Sequence, residues 1–158
     1  MRYVRYAADG WGVGELVFDG DVLVHSDLPR DRVDGLEGLS LHGDSPLRLA
    51  DRLRGYFAGE RDSFSDVAID LDGATPFQHA VTATLRVVPY GETVTYGELA
   101  ALAGHPGAQR AVGTFCAHNR FGVVVPCHRV VAAGGLGSYG SLGVSYKRRL
   151  LELEGAAL

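Results

Sequence analysis

A cysteine and a histidine adjoin in the run Val125-Pro126-Cys127-His128-Arg129, the part of the sequence best suited to nucleophilic chemistry. An unperturbed thiol, with a pKa of about 8.5, is only a few per cent thiolate at neutral pH. Cys127 therefore needs a base or a positive environment, and His128 is the adjacent candidate. Neighbouring residues of a strand point to opposite faces, so a relay through water is an alternative to direct contact. From the dipeptide alone, a core cysteine beside a surface histidine is the commoner arrangement.

The residues before Cys127 predict that its thiol lies at the end of a strand. Gly122 to Val125 form a short apolar run. Pro126 removes a backbone donor and fixes φ, which suits the end of a ladder rather than its interior. A nucleophile in that position can face a cleft.

Neither a metal site nor a disulfide is expected. Cys116, His118, Cys127 and His128 lack the paired Cys-x-x-Cys or His-x₃-His spacings of zinc sites, so we predict no metal and no cofactor. A chain of this size without a secretory signal is normally kept reduced, and we expect two free thiols in a cytoplasmic protein.

The segment before the cysteine predicts a helix-turn-helix. Thr95 and Glu98 form a capping box, and Gly104 is suited to end the first short helix. A glycine-containing turn leads to a second helix over residues 108–118, with Asn119 in the left-handed position beyond its end. The residues expected to face inward on this second helix are Ala111, Val112 and Phe115.

The second helix is rich in small residues, and two explanations stay open. The small residues are Gly107, Ala108, Ala111, Gly113 and Ala117. Close helix packing accounts for them, and so does shallow insertion against a nucleic-acid groove with Arg110 as the helix's cation. The helix lacks the set of Arg, Asn and Gln used to read base edges, so minor-groove contact fits better than sequence-specific recognition in the major groove.

The first half of the chain predicts a small sheet with one helix. Strands are expected over residues 3–7, 14–18 and 22–25, the last two joined by the hairpin signal Asp19-Gly20. Ser45-Pro46 predicts a helix start, and Gly59 ends that helix. Residues 64–71 offer one more strand. A further helix is expected from Phe77 to Val88, after the cap signal Thr75-Pro76.

Composition limits the function classes. The chain has 158 residues, 46% of them hydrophobic, and a formal net charge of −4, so it is neither disordered nor a generally basic nucleic-acid binder. Residues 1–75 carry a charge of −7 and residues 76–158 a charge of +3. We therefore predict an α+β fold of two domains: an antiparallel sheet domain over 1–72, and a mostly helical domain over 76–158 that would meet any polyanion partner.

Four motifs, in this order and spacing, resemble the O6-alkylguanine-DNA alkyltransferases. They are PYGETVTYG at 89–97, RAVG at 110–113, VPCHRV at 125–130 and LLELEG at 150–155. The resemblance covers about half of the chain, from residue 77 to 155. It implies a protein that repairs duplex DNA by direct reversal, transferring an alkyl group from guanine O6 to its own cysteine once.

The resemblance also implies a role for each residue of the chemistry. Cys127 would be the acceptor, His128 the base that acts through a bound water, and Glu154 the residue that orients His128. Asn119 would be the hinge between the recognition helix and the cysteine. Tyr96 would donate to the guanine as it leaves as an anion.

The resemblance further implies a DNA surface and a base pocket. Arg110 would enter the duplex in place of the flipped base, and Thr95 at a helix N-terminus would help to hold a phosphate. The minor-groove surface would include Ala111 and Gly113. The pocket would be lined by the backbone of Cys127 and Val130, the ring of Tyr139 and the N–H of Gly140. The implied partner is duplex DNA, bound by a monomer with no membrane contact.

The sequence departs from the family pattern in several places. Thr82 replaces the usual Trp, Arg120 replaces the usual Pro after Asn119, and the loop before Tyr139 is one residue short. Residues 140–143 also differ from the usual glycine-rich continuation. Two alternatives stay open: a damage sensor that flips alkylguanine without transfer, although such relatives typically lack the cysteine, and a cysteine hydrolase using Cys127 and His128.

Overall fold

The computed structural model describes residues 1–31 and 45–158, which form two compact units. The first unit contains Met1–Asp70 and Arg120–Val124, and the second contains Leu71–Asn119 and Val125–Leu158. The strands are β1 (Arg2–Ala8), β2 (Gly12–Asp19), β3 (Val22–Arg30), β4 (Val94–Thr95) and β5 (Val130–Val131). The helices are α1 (Leu49–Phe57), α2 (Pro76–Arg86), α3 (Tyr96–Leu102), α4 (Gln109–Ala117) and α5 (Val144–Leu153). The predicted α+β class is confirmed, whereas the division into domains 1–72 and 76–158 stays a prediction.

In the first unit, β1, β2 and β3 form an antiparallel sheet in that order, as the alternating sequence predicts. Asp19 pairs with Val22 across the predicted hairpin turn, where Gly20 has a φ of +59°. Alternate residues such as Val4, Tyr6 and Leu16 point into the core. Helix α1 covers the sheet with its own apolar residues, Leu49, Leu53, Tyr56 and Phe57.

Helix α1 begins later than the sequence predicts. Leu47 and Arg48 have φ values of +56° and +54°, so residues 46–48 form a separate 3-10 turn. The hydroxyl of Ser45 accepts a hydrogen bond from the backbone N–H of Ala50 at 2.9 Å, which ties the turn to the helix. Gly59, with a φ of +103°, follows the end of α1 as predicted.

The strand predicted over residues 64–71 is wrong. Phe64 has a φ of +53°, and its N–H donates to the Asp62 carboxylate at 2.9 Å, which fixes a turn instead. Ile69 makes only an isolated bridge to Leu23. Side-chain hydrogen bonding to the backbone thus outweighs the β propensity of this run.

The helices of the second unit follow their capping signals. Thr75 and Thr95 both close capping boxes, with Gln78 and Glu98 respectively, and Gly104 has a φ of +85° after α3. Strands β4 and β5, which the sequence did not predict, pair in parallel. No helix in residues 1–31 or 45–158 is long and apolar enough to cross a membrane.

Residues 122–125 do not form the predicted strand. Val123 has a φ of +68°, and the N–H of Val124 bonds to the carbonyl of Gly122 at 2.8 Å, so this apolar run is a series of tight turns. Residues 122–124 lie in the first unit, where the N–H of Ser26 donates to the carbonyl of Arg120 at 2.8 Å. The valines are therefore buried by packing in the core, and their backbone forms no hydrogen-bonded β-ladder.

Two details predicted for α4 are also wrong. Asn119 does not have the left-handed backbone expected of it, since the positive-φ residues other than glycine are Leu47, Arg48, Phe64 and Val123 among those described. Ala111 is exposed rather than inward, while Val112 is fully buried as predicted. The helix thus presents its small residues outward.

Candidate active site

Cys127 lies in a single 3-10 turn, Cys127–Arg129, immediately before β5, and not at a strand end. Its N–H donates to the carbonyl of Val125 at 2.8 Å, across the intervening Pro126. Only 3% of the residue is exposed. Burial raises the pKa of the Cys127 thiol well above its ordinary value, so the resting thiol is protonated.

Asn119 holds the end of α4 to the cysteine turn. Its side-chain amide donates to the carbonyl of Val125 at 2.9 Å, and it also hydrogen-bonds the Cys127 thiol. The predicted place of Asn119 between helix and cysteine is therefore present, although its backbone is not left-handed. Since Asn119 is the residue before the chain enters the first unit, this contact fixes the position of the turn within the second.

Glu154 brings three parts of the second unit together. One carboxylate oxygen accepts from His128 Nε2 at 2.7 Å and from Arg129 Nη2 at 3.0 Å. The other accepts from Arg129 Nε at 2.9 Å and from the backbone N–H of Gly91 at 3.2 Å. His128 is fully buried and Glu154 is 4% exposed, so these bonds operate away from water.

The charges in this network are set by burial and by the hydrogen bonds. Burial opposes ionisation of Glu154, but the bonds from His128 and Arg129 outweigh it and hold the Glu154 pKa well below its ordinary value of 4.5. Burial lowers the pKa of His128 below 6.5, although Glu154 partly counteracts this. The imidazole is therefore neutral at pH 7. With Nε2 donating to a carboxylate, its proton acceptor is Nδ1.

Sequence reasoning assigned no role to Arg129, which proves central to the network. Besides its two bonds to Glu154, its guanidinium donates to the carbonyl of Val88 at 2.8 Å and lies 5.9 Å from the centroid of the Tyr90 ring. The bidentate pairing fixes the carboxylate in one orientation. Its place directly after His128 was the available signal.

Lys147 was also missed. It is the chain's only lysine, is fully buried, and donates to the carbonyls of Val130 and Ser138. Burial lowers its pKa, and its charge acts on both cysteine thiols. In the sequence it adjoins Arg148 and Arg149, and nothing in that run indicates burial.

The predicted base-pocket tyrosines lie near the thiol but differ in surroundings. Tyr96 is the first residue of α3, and burial raises its pKa, with a further contribution from Cys116. Tyr139 stacks on Tyr146 with the ring centroids 6.3 Å apart, and burial raises its pKa well above 10.0. Both phenols therefore stay protonated and able to donate a hydrogen bond.

An open groove of about 620 Å³ runs along α4, and we call it the α4 groove. Its α4 lining includes Gln109, Arg110, Gly113 and Thr114, and its opposite wall includes Tyr96 and Gly137. The groove thus brings together three predicted residues, Tyr96, Arg110 and Gly113. Val130 lies instead in β5, and Tyr139 immediately precedes the 3-10 turn Gly140–Leu142 that Gly140 begins.

Thr95 has a structural task in addition to any contact with DNA. Its hydroxyl accepts from the N–H of Glu98 at 3.1 Å, and the Glu98 carboxylate accepts from the N–H of Thr95 at 3.0 Å. The predicted phosphate contact stays a prediction. A phosphate at this helix terminus would lie near the Glu98 carboxylate. The residues described contain no group of three potential metal ligands.

Comparison with known proteins finds one family. Residues 76–156 match the family model described as 6-O-methylguanine DNA methyltransferase, DNA binding domain. The chain is 53% identical over 105 residues to a methylated-DNA–protein-cysteine methyltransferase of Mycobacterium bovis, which covers 66% of this chain and 62% of that protein. It is 43% identical over 127 residues to the Shigella flexneri protein of the same name, covering 80% and 72%. The match thus spans about three fifths of the mycobacterial relative's length.

Solved structures agree over nearly the whole chain. The structure of Mycobacterium tuberculosis OGT in complex with DNA aligns with a TM-score of 0.79 and 40% identity, covering 98% of this chain and 93% of that one. The O6-methylguanine-DNA methyltransferase of Pyrococcus kodakaraensis aligns with a TM-score of 0.75 and 29% identity, covering 98% and 100%.

Proposed function

This chain belongs to the 6-O-methylguanine DNA methyltransferase family, and we propose that it repairs O6-alkylguanine in duplex DNA by transferring the alkyl group to Cys127, once and without a cofactor. The observation that carries the proposal is the buried network in which Glu154 bonds both His128 and Arg129, in the turn that contains Cys127. Such an arrangement supplies a nucleophile, a base and a residue that orients the base.

The proton of Cys127 must leave before the sulfur can attack. Because the thiol pKa is raised, a base is needed, and neutral His128 offers Nδ1 for this purpose, through a water in our proposal. Glu154 stays ionised and stabilises the imidazolium that forms, as in other nucleophile–histidine–carboxylate sites. Because burial keeps the thiol protonated, it stays unreactive until substrate is bound.

The transfer itself is a displacement at carbon. A bond forms between the Cys127 sulfur and the alkyl carbon while the carbon–O6 bond breaks, and its electron pair goes to guanine. Tyr96 donates a hydrogen bond to the base as that negative charge develops. The proton that guanine takes up balances the one that His128 removes. The thioether product does not leave, so each molecule acts once.

The α4 groove is the proposed DNA surface. Arg110 is exposed there, and the small residues Ala111 and Gly113 allow a close approach to the minor groove. A buried O6 atom cannot be reached inside the stack, so Arg110 would occupy the space of the flipped base. With few cations available, we expect modest affinity that falls with salt.

The remaining site assignments belong to the same proposal. Val130, Tyr139 and Gly140 would contact the flipped guanine. Asn119 would hold the cysteine turn in position, and Thr95 would approach a phosphate. The chemistry is assigned to the domain over residues 76–158, with a monomeric protein in a reducing, cytoplasmic compartment, where an acceptor thiol stays available.

Intact mass spectrometry tests the proposal. The protein is mixed with duplex DNA containing O6-methylguanine, with unmodified duplex as control. We expect one adduct of about 14 Da per molecule, mapped to Cys127 and absent from Cys127→Ser. Lesion binding without an adduct would identify a damage sensor instead, and an adduct on Cys116 alone would overturn the assignment of the acceptor. Repeated turnover would indicate the hydrolase alternative.

A further inference from the structure

A second thiol lies beside the proposed acceptor. Cys116, in the last turn of α4, interacts with the Cys127 thiol, and both cysteines are free. Nothing in the proposed alkyl transfer uses Cys116. Two thiols in contact can form a disulfide when an oxidant is present, provided the backbone allows a sulfur–sulfur bond of about 2.05 Å.

The contact between the two thiols is built into the fold. Cys116 lies three residues before Asn119, whose N–H donates to the Cys116 carbonyl at 3.3 Å. The Asn119 side chain in turn donates to the carbonyl of Val125 at 2.9 Å, two residues before Cys127. Asn119 therefore binds the backbone at Cys116 and the backbone just before Cys127. Both cysteines belong to the second unit.

The surroundings divide the two thiols into unequal partners. The hydrogen bond from Cys127 lowers the pKa of Cys116, and the charge of Lys147 lowers it further, whereas burial raises the pKa of Cys127. Cys116 is also partly exposed, while Cys127 is 3% exposed. An oxidant from solvent therefore meets the more ionised and more accessible thiol first.

We propose that Cys116 and Cys127 form a reversible disulfide on exposure to peroxide, with Cys116 as the thiol that is oxidised first. Hydrogen peroxide converts the Cys116 thiolate to a sulfenic acid and is itself reduced to water. Cys127 then loses its proton and attacks the Cys116 sulfur, the sulfur–oxygen bond breaks, and the oxygen leaves as a second water. Two thiols and one peroxide thus give one disulfide and two waters.

The disulfide would store the acceptor in a recoverable form. A Cys127 that is oxidised alone proceeds to sulfinic acid, which thiol reductants do not reverse. The disulfide instead returns both thiols on reduction. This consequence for repair rests on the proposed function, whereas the disulfide itself does not.

The thiol chemistry is tested in the absence of DNA. Reduced wild-type protein receives one equivalent of hydrogen peroxide, and intact mass, iodoacetamide labelling after denaturation, and tryptic peptides are measured. Trypsin separates the cysteines into residues 111–120 and 121–129, because cleavage follows Arg110, Arg120 and Arg129. We expect a loss of about 2 Da, no labelled thiol, and one peptide pair joined by a disulfide that dithiothreitol releases.

Matched variants identify the partner of each thiol. In Cys116→Ser we expect the buried Cys127 to be oxidised more slowly than the thiol pair of the wild type, with no loss of about 2 Da. In Cys127→Ser we expect the added oxygen on Cys116. Wild-type protein that keeps both thiols, acquires sulfinic acid without a disulfide, or forms only disulfides between molecules overturns the proposal.

A second readout separates this proposal from the proposed function. The oxidised and the re-reduced wild-type protein are each mixed with duplex containing O6-methylguanine. We expect no methyl adduct on the disulfide form and full recovery after dithiothreitol. If reduced protein that was never oxidised also accepts no methyl group, the proposed function fails while the disulfide result stands. A methyl adduct on Cys127 of the fully oxidised form would overturn the storage role.

Discussion

Replacing Glu154 by glutamine is expected to destabilise the second unit strongly. The substitution keeps the size of the side chain but removes the charge that accepts four hydrogen bonds from His128, Arg129 and Gly91. The amide nitrogen of glutamine must also face at least one of these donors. Removing one partner of a buried ion pair costs about 3–5 kcal/mol, because the other charge is left uncompensated. For a chain of this length the melting temperature should fall by about 6–20 °C.

Thermal unfolding followed by circular dichroism measures this effect, with Glu152→Gln as the matched control. Glu152 is exposed, two residues away on the same chain segment, and its substitution should change stability by less than about 0.5 kcal/mol. The same two variants are assayed for the rate of alkyl transfer, which only Glu154→Gln should slow. Equal melting temperatures for the two variants would show that the network does not stabilise the fold.

The pH dependence gives an independent check. The pKa of Glu154 is lower in the folded protein than its ordinary 4.5, so its stabilisation is fully present above about pH 4.5 and is lost as the pH falls further. His128 has a lowered pKa, so the unfolded state takes up its proton first and stability starts to decline below about pH 6.5. The difference between wild type and Glu154→Gln should therefore shrink only below pH 4.5. A difference that is constant down to pH 3 would refute the assignment.

Three further substitutions test other parts of the site. Gly137→Ala places a Cβ 2.8 Å from the Tyr96 hydroxyl, at a φ of +77°, and should slow alkyl transfer about 10- to 100-fold in single-turnover assays. Arg110→Ala should weaken binding to lesion-containing duplex in fluorescence anisotropy, with a smaller salt slope and no loss of stability, whereas Arg148→Ala on α5 should leave binding unchanged. Lys147→Met leaves two carbonyls without their buried donor, and should cost about 1–3 kcal/mol in denaturant unfolding, against no change for Arg148→Ala.

The elements that the sequence predicted correctly are those with strong local signals. The capping box at Thr95, the cap signal Thr75-Pro76, the hairpin at Asp19-Gly20 and the glycine after α3 each depend on a few neighbouring residues, so the pattern alone identifies them. The runs 64–71 and 122–125 were mispredicted as strands because their apolar residues are buried in turns. A short apolar run has the same composition whether it forms a strand or a buried turn, and only the tertiary contacts distinguish the two.

The site could be predicted only where a family motif contains the residue. The bond between His128 and Glu154 joins positions 26 residues apart, and the family motifs supplied both of them. No motif indicated that Lys147 is buried or that Cys116 lies beside Cys127. The unusual Arg120 is explained only by the fold: it donates to the Asp70 carbonyl at 3.1 Å and lies 5.0 Å from the Phe121 ring, within the first unit.

Burial of the proposed nucleophile fits a protein that uses it once. An exposed, low-pKa thiolate would react with any electrophile, and a single-use acceptor lost in this way is lost for the lifetime of the chain. Burial keeps Cys127 protonated, and neutral His128 offers a base only to a water or substrate that enters the site. The more ionised Cys116 then meets oxidants first, and its contact with Cys127 returns the acceptor on reduction. The raised thiol pKa and the second cysteine therefore address the same problem, the protection of an irreplaceable group, by two different routes.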